Sequence, residues 1–331
     1  MGPRRNRLAS DPGWCRVPER PLEALFREGA LAWERLRSSR PVYRFTFGSR
    51  LPAVVGKFFT GGPGFTSVDR GLLKEYRVYR QAPAWGLNGS GCLPRLLGRY
   101  LPAGLGLLLE DIPGPDLDRY LAGAADAHGF RELCPKLEKL AGLLAFFHSR
   151  PVPSKPTSHR PGWRYFHKLL GQLQTAGLLS GEESEALKAA GSAWEMVLPQ
   201  YPDTLVLVHG DATSTNFLFP ENRAVAIDLE RLGLGDRLLD LSWVAGEIKH
   251  AWGWRFHNFA GSEEAIGHFF RAYFEALEAG AALADRILRL NPFYMALAEL
   301  RIARNGYLSW EYRRALIEEA GRCHVGGRRL A

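Results

Sequence analysis

His209-Gly210-Asp211-Ala212-Thr213-Ser214-Thr215-Asn216, with Ile227-Asp228-Leu229-Glu230 shortly after it, lies in a strand-rich island within a helical half of the chain. Thr204 to Val208 is β-branched and apolar, Asn216 to Phe219 is a second short run, and Ala224 to Asp228 is a third. Pro220-Glu221-Asn222-Arg223 supplies the turn between the last two. The polar residues fall at strand ends, so His209, Gly210, Asp211, Asn216 and Asp228 are expected at one edge of a small hairpin, on rigid supports. A carboxylate that can orient a hydroxyl, Asp211, and two oxygen donors suited to Mg²⁺, Asn216 and Asp228, form the set that phosphoryl transfer requires.

Upstream of the island the texture changes. Val42 to Phe47 and Ala53 to Phe59 read as strands around a turn at Gly48-Ser49, and Leu72 to Ala82 reads as a helix. Arg95 to Tyr100 and Leu105 to Glu110 follow as a hairpin about Pro102-Ala103-Gly104. Lys57 lies in the second strand and Glu75 in the helix after it, an order in which a lysine meets nucleotide phosphates and a glutamate holds its stem. Arg27 to Arg40 looks more helical than hairpin-like, and no G-x-G-x-x-G stands before Val42. Gly61-Gly62-Pro63-Gly64 reads as a flexible turn rather than a phosphate loop, since no G-K-[ST] follows.

After Pro113-Gly114-Pro115, the best hinge candidate, Leu133, Leu137, Leu140 and Leu144 mark one face of a helix. Further helices are expected at Arg237 to Lys249, Ser262 to Ala279 and Pro292 to Tyr312. The fold class is therefore α+β and two-lobed: a small β-rich N-lobe over residues 1–112, binding nucleotide, and a larger, mostly helical C-lobe over 113–331 with the catalytic loop and acceptor site.

Composition narrows the function classes. The 331 residues are 46% hydrophobic and 24% charged, which is ordinary for a globular protein. The four cysteines, Cys15, Cys92, Cys134 and Cys323, form no C-x-x-C pair, which disfavours a disulfide scaffold or a cysteine zinc site and fits a reducing cytoplasm. No run approaches the roughly 18 apolar residues needed to span a bilayer. The net charge of +8, with arginines near both ends, leaves weak contact with a membrane surface open, whereas no nucleic-acid readout motif is present and no nucleic-acid partner is expected.

His209 to Asn216 and Ile227 to Glu230 match the H-G-D-x-x-x-x-N and I-D-x-E patterns of the aminoglycoside phosphotransferase and choline kinase family. Gly235-Asp236 and Asp240-Leu241 match its following G-D and D-L. The chain resembles this family, of protein-kinase-like fold, from about Val42 to Ala279. The eukaryotic protein-kinase strings H-R-D, D-F-G and A-P-E are missing, which points away from protein substrates. The resemblance implies Asp211 as the group that orients the acceptor hydroxyl, Asn216 and Asp228 as Mg²⁺ ligands, and Lys57 and Glu75 as the nucleotide seat. It also implies an inter-lobe hinge at Leu107 to Gly114, where backbone near Glu110 and Ile112 would bond adenine. The cofactors implied are ATP, with GTP left open, and Mg²⁺. His209, Asp236 and Asp240 are expected as scaffold for the loop or as a cap for the helix at Arg237, and His148 as structural. Glu230 is left between a metal and a supporting role.

The expected activity is transfer of the γ-phosphoryl group of ATP to a hydroxyl of a small molecule such as a sugar or glycolipid head group. Glu247 to Phe259 and Trp163 to Lys168 could line the acceptor site, or their aromatics could be core. Basic groups outnumber acids there, which argues for a neutral or anionic acceptor unless Glu299, Glu311, Glu318 or Glu319 folds over the site. An antibiotic phosphotransferase and a catalytically silent nucleotide-binding scaffold are the alternatives.

Overall fold

The computed structural model describes residues 32–36, 38, 42–47, 52–59, 70–100 and 105–328. The chain divides into two compact units, Met1–Pro113 with Val225–Arg231, and Gly114–Ala224 with Leu232–Ala331.

In the first unit, strands β1 (Ala32–Arg35), β2 (Val42–Thr46), β3 (Val54–Phe59), β4 (Leu96–Tyr100) and β5 (Leu105–Glu110) form one antiparallel sheet in the order β1-β2-β3-β5-β4. Side chains alternate across a pleated strand. Phe45, Val54, Phe58 and Leu108 accordingly gather in one cluster with Trp33 and Tyr43. Leu107 and Leu109 gather in another with Val55, Leu96, Tyr76 and Tyr79. The two tyrosines belong to helix α1 (Arg70–Gln81), which packs on that face. Lys57 is in step with Val55 and opposite Leu107, which places it on the helix-covered face. The turns expected at Gly48-Ser49, Gly61-Gly62-Pro63-Gly64 and Pro102-Ala103-Gly104 lie outside the described residues, although β4 and β5 do pair as expected.

β1 corrects the helical reading of Arg27 to Arg40. Ala32, Glu34 and Arg35 are good helix formers, but Ala32 pairs with Thr46 and Arg35 with Tyr43 along the sheet edge. Trp33 packs edge-on against Tyr43 with ring centres 5.4 Å apart. Edge hydrogen bonds and one partly buried aromatic outweigh a propensity difference of a few tenths of a kcal/mol per residue.

The second unit is mainly helical: α2 (Leu117–Gly123), α3 (Ala127–His148), α4 (Arg160–Thr175), α5 (Gly181–Val197), α6 (Arg237–Phe256), α7 (Glu263–Leu277), α8 (Ala281–Ala303) and α9 (Trp310–Arg328). Leu133, Leu137, Leu140 and Leu144 are all fully buried on α3. The helix expected to begin at Pro292 instead runs through it. Proline in a helix interior forfeits a hydrogen bond, but Ile287, Leu290, Phe293 and Leu297 bury one continuous face that holds α8 together. That helix ends at Ala303, with Asn305 N–H turned back onto the Ile302 carbonyl, and Tyr312 belongs to α9.

The island contains β6 (Val206–Val208) and the two-residue strands β7 (Phe217–Leu218) and β8 (Val225–Ala226). β6 pairs antiparallel with β9 (Gly233–Gly235), Val208 opposite Gly233. Glycines are poor strand formers, and β9 carries no sequence signal. A Cβ on Gly235 would come within 2.5 Å of the Val208 side chain, so close packing requires glycine there. Among the described residues no helix is long and apolar enough to cross a membrane.

Candidate active site

In the sheet unit, three of the residues singled out in the sequence meet. Lys57 is carried by β3 onto the face covered by α1, where its ammonium donates to Glu75 Oε1 at 2.9 Å. It also bonds Asp228 Oδ1. Glu75 is 1% exposed and Lys57 6% exposed, whereas half of the Asp228 side chain is open to solvent. Burial pulls the Lys57 ammonium down, but Glu75 and then Asp228 hold it more strongly, and the net shift is upward. The charge is therefore fixed as a cation. Asp228 has a left-handed backbone, φ +58°, a conformation that Asp tolerates better than most residues. Burial, reinforced by the charges of Glu75 and Asp228, pushes the Tyr79 hydroxyl well above its ordinary value.

At the end of β5, the Glu110 side chain accepts from Arg95 N–H at 3.1 Å and Nε at 3.2 Å, while the Glu110 N–H donates to the Arg95 carbonyl at 2.9 Å. Ile112 is buried, and Arg44 Nε braces the strand end by reaching both Asp111 oxygens at 3.0 Å.

In the helical unit, α6 organises the loop after β6. Asp236 caps it, accepting from Leu238 N–H at 3.0 Å, and is held by Arg286 Nη2 at 2.7 Å. One turn on, Asp240 is fully buried and accepts the backbone N–H groups of His209 at 2.7 Å and Gly210 at 2.9 Å. Its Oδ2 also meets His148 Nε2 at 3.3 Å, and His148 Nδ1 meets the Tyr273 hydroxyl at 2.8 Å. Burial lowers the His148 pKa despite Asp240, so this histidine is a neutral structural strut. The loop turns at Gly210, φ +75°, which glycine permits without cost. His209 Nδ1 accepts Asp211 N–H at 3.3 Å, and Asn216 Nδ2 donates to the Asp211 carbonyl at 2.9 Å. Asn216 is thus oriented by its amide nitrogen, which leaves its oxygen as the donor for a cation.

The Asp211 carboxylate has a partner that no motif signals. Arg301 Nη2, from α8, donates to Asp211 Oδ1 at 2.9 Å, and Nη1 lies 3.5 Å from Glu247 Oε1. The guanidinium sits 4.5 Å over the Trp243 ring. Glu247, on α6, accepts from Ser214 Oγ at 2.9 Å. Burial raises the Glu247 pKa, Arg301 and Ser214 opposing it. Arg301 is 90 residues from Asp211 in sequence, so only the folded helices join them. Of the segments considered for the acceptor, Trp163 packs on the core, stacked on Phe293 at 6.0 Å. Trp254 is 43% exposed and lies edge-on to Tyr312 at 4.8 Å. His250 is lowered to about 4 by burial and Arg255, so it is uncharged at neutral pH. Glu299 is fully buried, and Glu319 is paired with Lys249 at 3.0 Å.

An antiparallel sheet with one helix, a buried Lys–Glu pair and a mostly helical unit bearing H-G-D-x-x-x-x-N define a protein-kinase-like fold. The chain belongs to the phosphotransferase enzyme family, whose model matches residues 33–283. No curated protein matches it. Among solved structures it is similar to a choline/ethanolamine kinase family protein from Mesorhizobium loti, with TM-score 0.58, 18% identity, and 91% of this chain and 93% of that one covered. It is also similar to choline kinase from Cryptosporidium parvum, with TM-score 0.58, 12% identity and coverage of 96% and 91%. Ethanolamine kinase of Plasmodium vivax aligns with TM-score 0.56, 14% identity and coverage of 89% and 80%.

Proposed function

We propose that this chain transfers the γ-phosphoryl group of ATP to a hydroxyl of a neutral or anionic small molecule, a sugar or glycolipid head group being the type. The carrying observation is Lys57, a buried cation held by Glu75 and joined to the half-exposed Asp228. A permanent buried charge backed by a glutamate and open toward one carboxylate suits the oxygens of a nucleotide triphosphate and its metal.

The roles follow from chemistry. Lys57 neutralises phosphate oxygens and Glu75 keeps its stem from wandering. Adenine, or guanine if GTP is used, takes the Glu110 carbonyl and the Ile112 N–H, since the Glu110 N–H is already donated to Arg95. Asp211 orients the acceptor hydroxyl for in-line attack and takes its proton late in the transfer. The oxygen donors of Asn216 and Asp228 fit Mg²⁺, which binds through few carboxylates plus phosphates and water. Among the described residues no group of three or more His, Cys, Asp or Glu forms an all-protein metal site, which agrees with that mode. Held by Asn216 and Asp228, Mg²⁺ would supply positive charge against the phosphates. The nucleotide-binding role belongs to the N-terminal lobe and the acceptor role to the C-terminal one.

The test is ADP release over panels of hydroxylated sugars, sugar acids and antibiotics. Saturable, Mg²⁺-dependent turnover is expected with a neutral or anionic alcohol and none with kanamycin or gentamicin at millimolar concentration. Robust turnover of either drug would overturn the acceptor assignment, and no Mg²⁺-dependent ADP release with any panel member would overturn the activity.

A further inference from the structure

Two carboxylates beside an aromatic face make a receptor for a cation, because the ring quadrupole and both charges attract it together. Asp211, Glu247 and Trp243 form such a receptor in the helical unit, and its occupant is part of the chain. Arg301 Nη2 is 2.9 Å from Asp211, Nη1 is 3.5 Å from Glu247, and the guanidinium covers the Trp243 ring at 4.5 Å. The pocket walls are held from behind: Glu247 is fastened to Ser214 Oγ in the same loop as Asp211. All three charged side chains are mostly shielded, with 15% exposure for Arg301, 21% for Asp211 and 12% for Glu247.

We propose that Arg301 is a specificity-determining residue which fills this cation pocket and thereby bars acceptors that carry an ammonium beside the reacting hydroxyl. The inference rests on the reading of Asp211 as the group that orients the acceptor. An ammonium placed next to Asp211 would meet a guanidinium already there, and like charges in a shielded site repel strongly. Other basic groups of α6 are spoken for. Lys249 is engaged by Glu263 and Glu319, Arg255 by Asp118, and His250 is uncharged near neutral pH. A neutral or anionic alcohol meets no such barrier. Without the Arg301 side chain, the pocket becomes two carboxylates over a tryptophan, and an external cation should take its place.

The experiment uses the full chain with Arg301→Ala, and with Arg301→Gln as a second variant that keeps a polar stem. Thermal unfolding is followed in methylguanidinium chloride up to tens of millimolar, against sodium chloride at equal ionic strength. Both variants should melt below wild type and regain a few degrees with methylguanidinium, whereas wild type and Arg301→Ala/Glu247→Gln should not respond. In ADP release, the single variants should gain at least tenfold in kcat/KM for ethanolamine relative to wild type. Variants that show no cation-specific rise in Tm, or wild type that already uses ethanolamine as well as they do, would overturn the proposal. Cation rescue of stability together with no ADP release by any of the proteins would instead sink the kinase reading and leave the pocket standing.

Discussion

Replacing Glu299 should make the protein more stable, and increasingly so as pH rises. Glu299 lies on α8 at zero exposure, and neither of its carboxyl oxygens has a hydrogen-bond partner among the described residues. Burial pushes its pKa well above the ordinary value; Lys249 pulls it down, while Glu319 and Glu247 push it further up. In the unfolded chain the same group titrates near pH 4.3. The folded form therefore retains a proton that the unfolded form releases, so the contribution to stability is full below about pH 4.3 and is lost as pH rises toward the folded value. Within that window the loss approaches about 1.4 kcal/mol per pH unit. Glu299→Gln keeps the shape and abolishes this titration, while Lys249, Glu319, Glu247, Tyr312 and Cys323 remain in both proteins and largely cancel. Urea midpoints taken at increasing pH from about 4.3 upward, with m unchanged, should show the variant gaining on wild type as pH rises. Glu299→Met, which also removes the unpartnered oxygens, should be more stable than Gln. Parallel pH curves for wild type and Glu299→Gln would refute the reasoning.

Lys57→Met leaves Glu75 buried without its cation and should cost about 3 to 5 kcal/mol, read from thermal or urea unfolding. Lys57→Met/Glu75→Gln should recover much of that stability without recovering Mg-ATP affinity by calorimetry, which separates folding from binding. Asp240→Ala removes the acceptor of two loop N–H groups and the partner of His148. It should cost at least about 3 kcal/mol and slow turnover even where the protein remains folded, and wild-type turnover would show that the loop holds its shape without it.

The candidate island stands out in the sequence because its pattern is local. His209 to Asn216 and Asp228 carry their meaning in spacing, and the Lys57 to Glu75 order needs only a strand followed by a helix. The contact of Lys57 with Glu75 joins residues 18 apart, on elements whose patterning is strong. The buried leucines of α3 were readable for the same reason. Features decided by distant packing were not. β1 is made by edge pairing against helix-forming residues, β9 is three residues of which two are glycine, and α8 passes through Pro292 because its far face is buried. Arg301 is the most consequential omission. Its partners Asp211, Glu247 and Trp243 come from a loop and a different helix, and an arginine near a helix C-terminus reads equally well as a solvated charge. The expected scarcity of acids near the acceptor also needs the fold for its interpretation: Glu247 is spoken for by Ser214 and Arg301, and Glu319 by Lys249 and Arg322.

The most direct measurement is Asp211→Asn, assayed in parallel for acceptor-dependent ADP release and for Mg-ATP binding by calorimetry. Asp211 is assigned to the acceptor hydroxyl and not to the nucleotide, so turnover should fall on the order of a thousandfold while nucleotide affinity changes by less than about twofold. Turnover near that of wild type would contradict the assignment of Asp211 and with it the central account of this chain as a phosphotransferase acting through that loop.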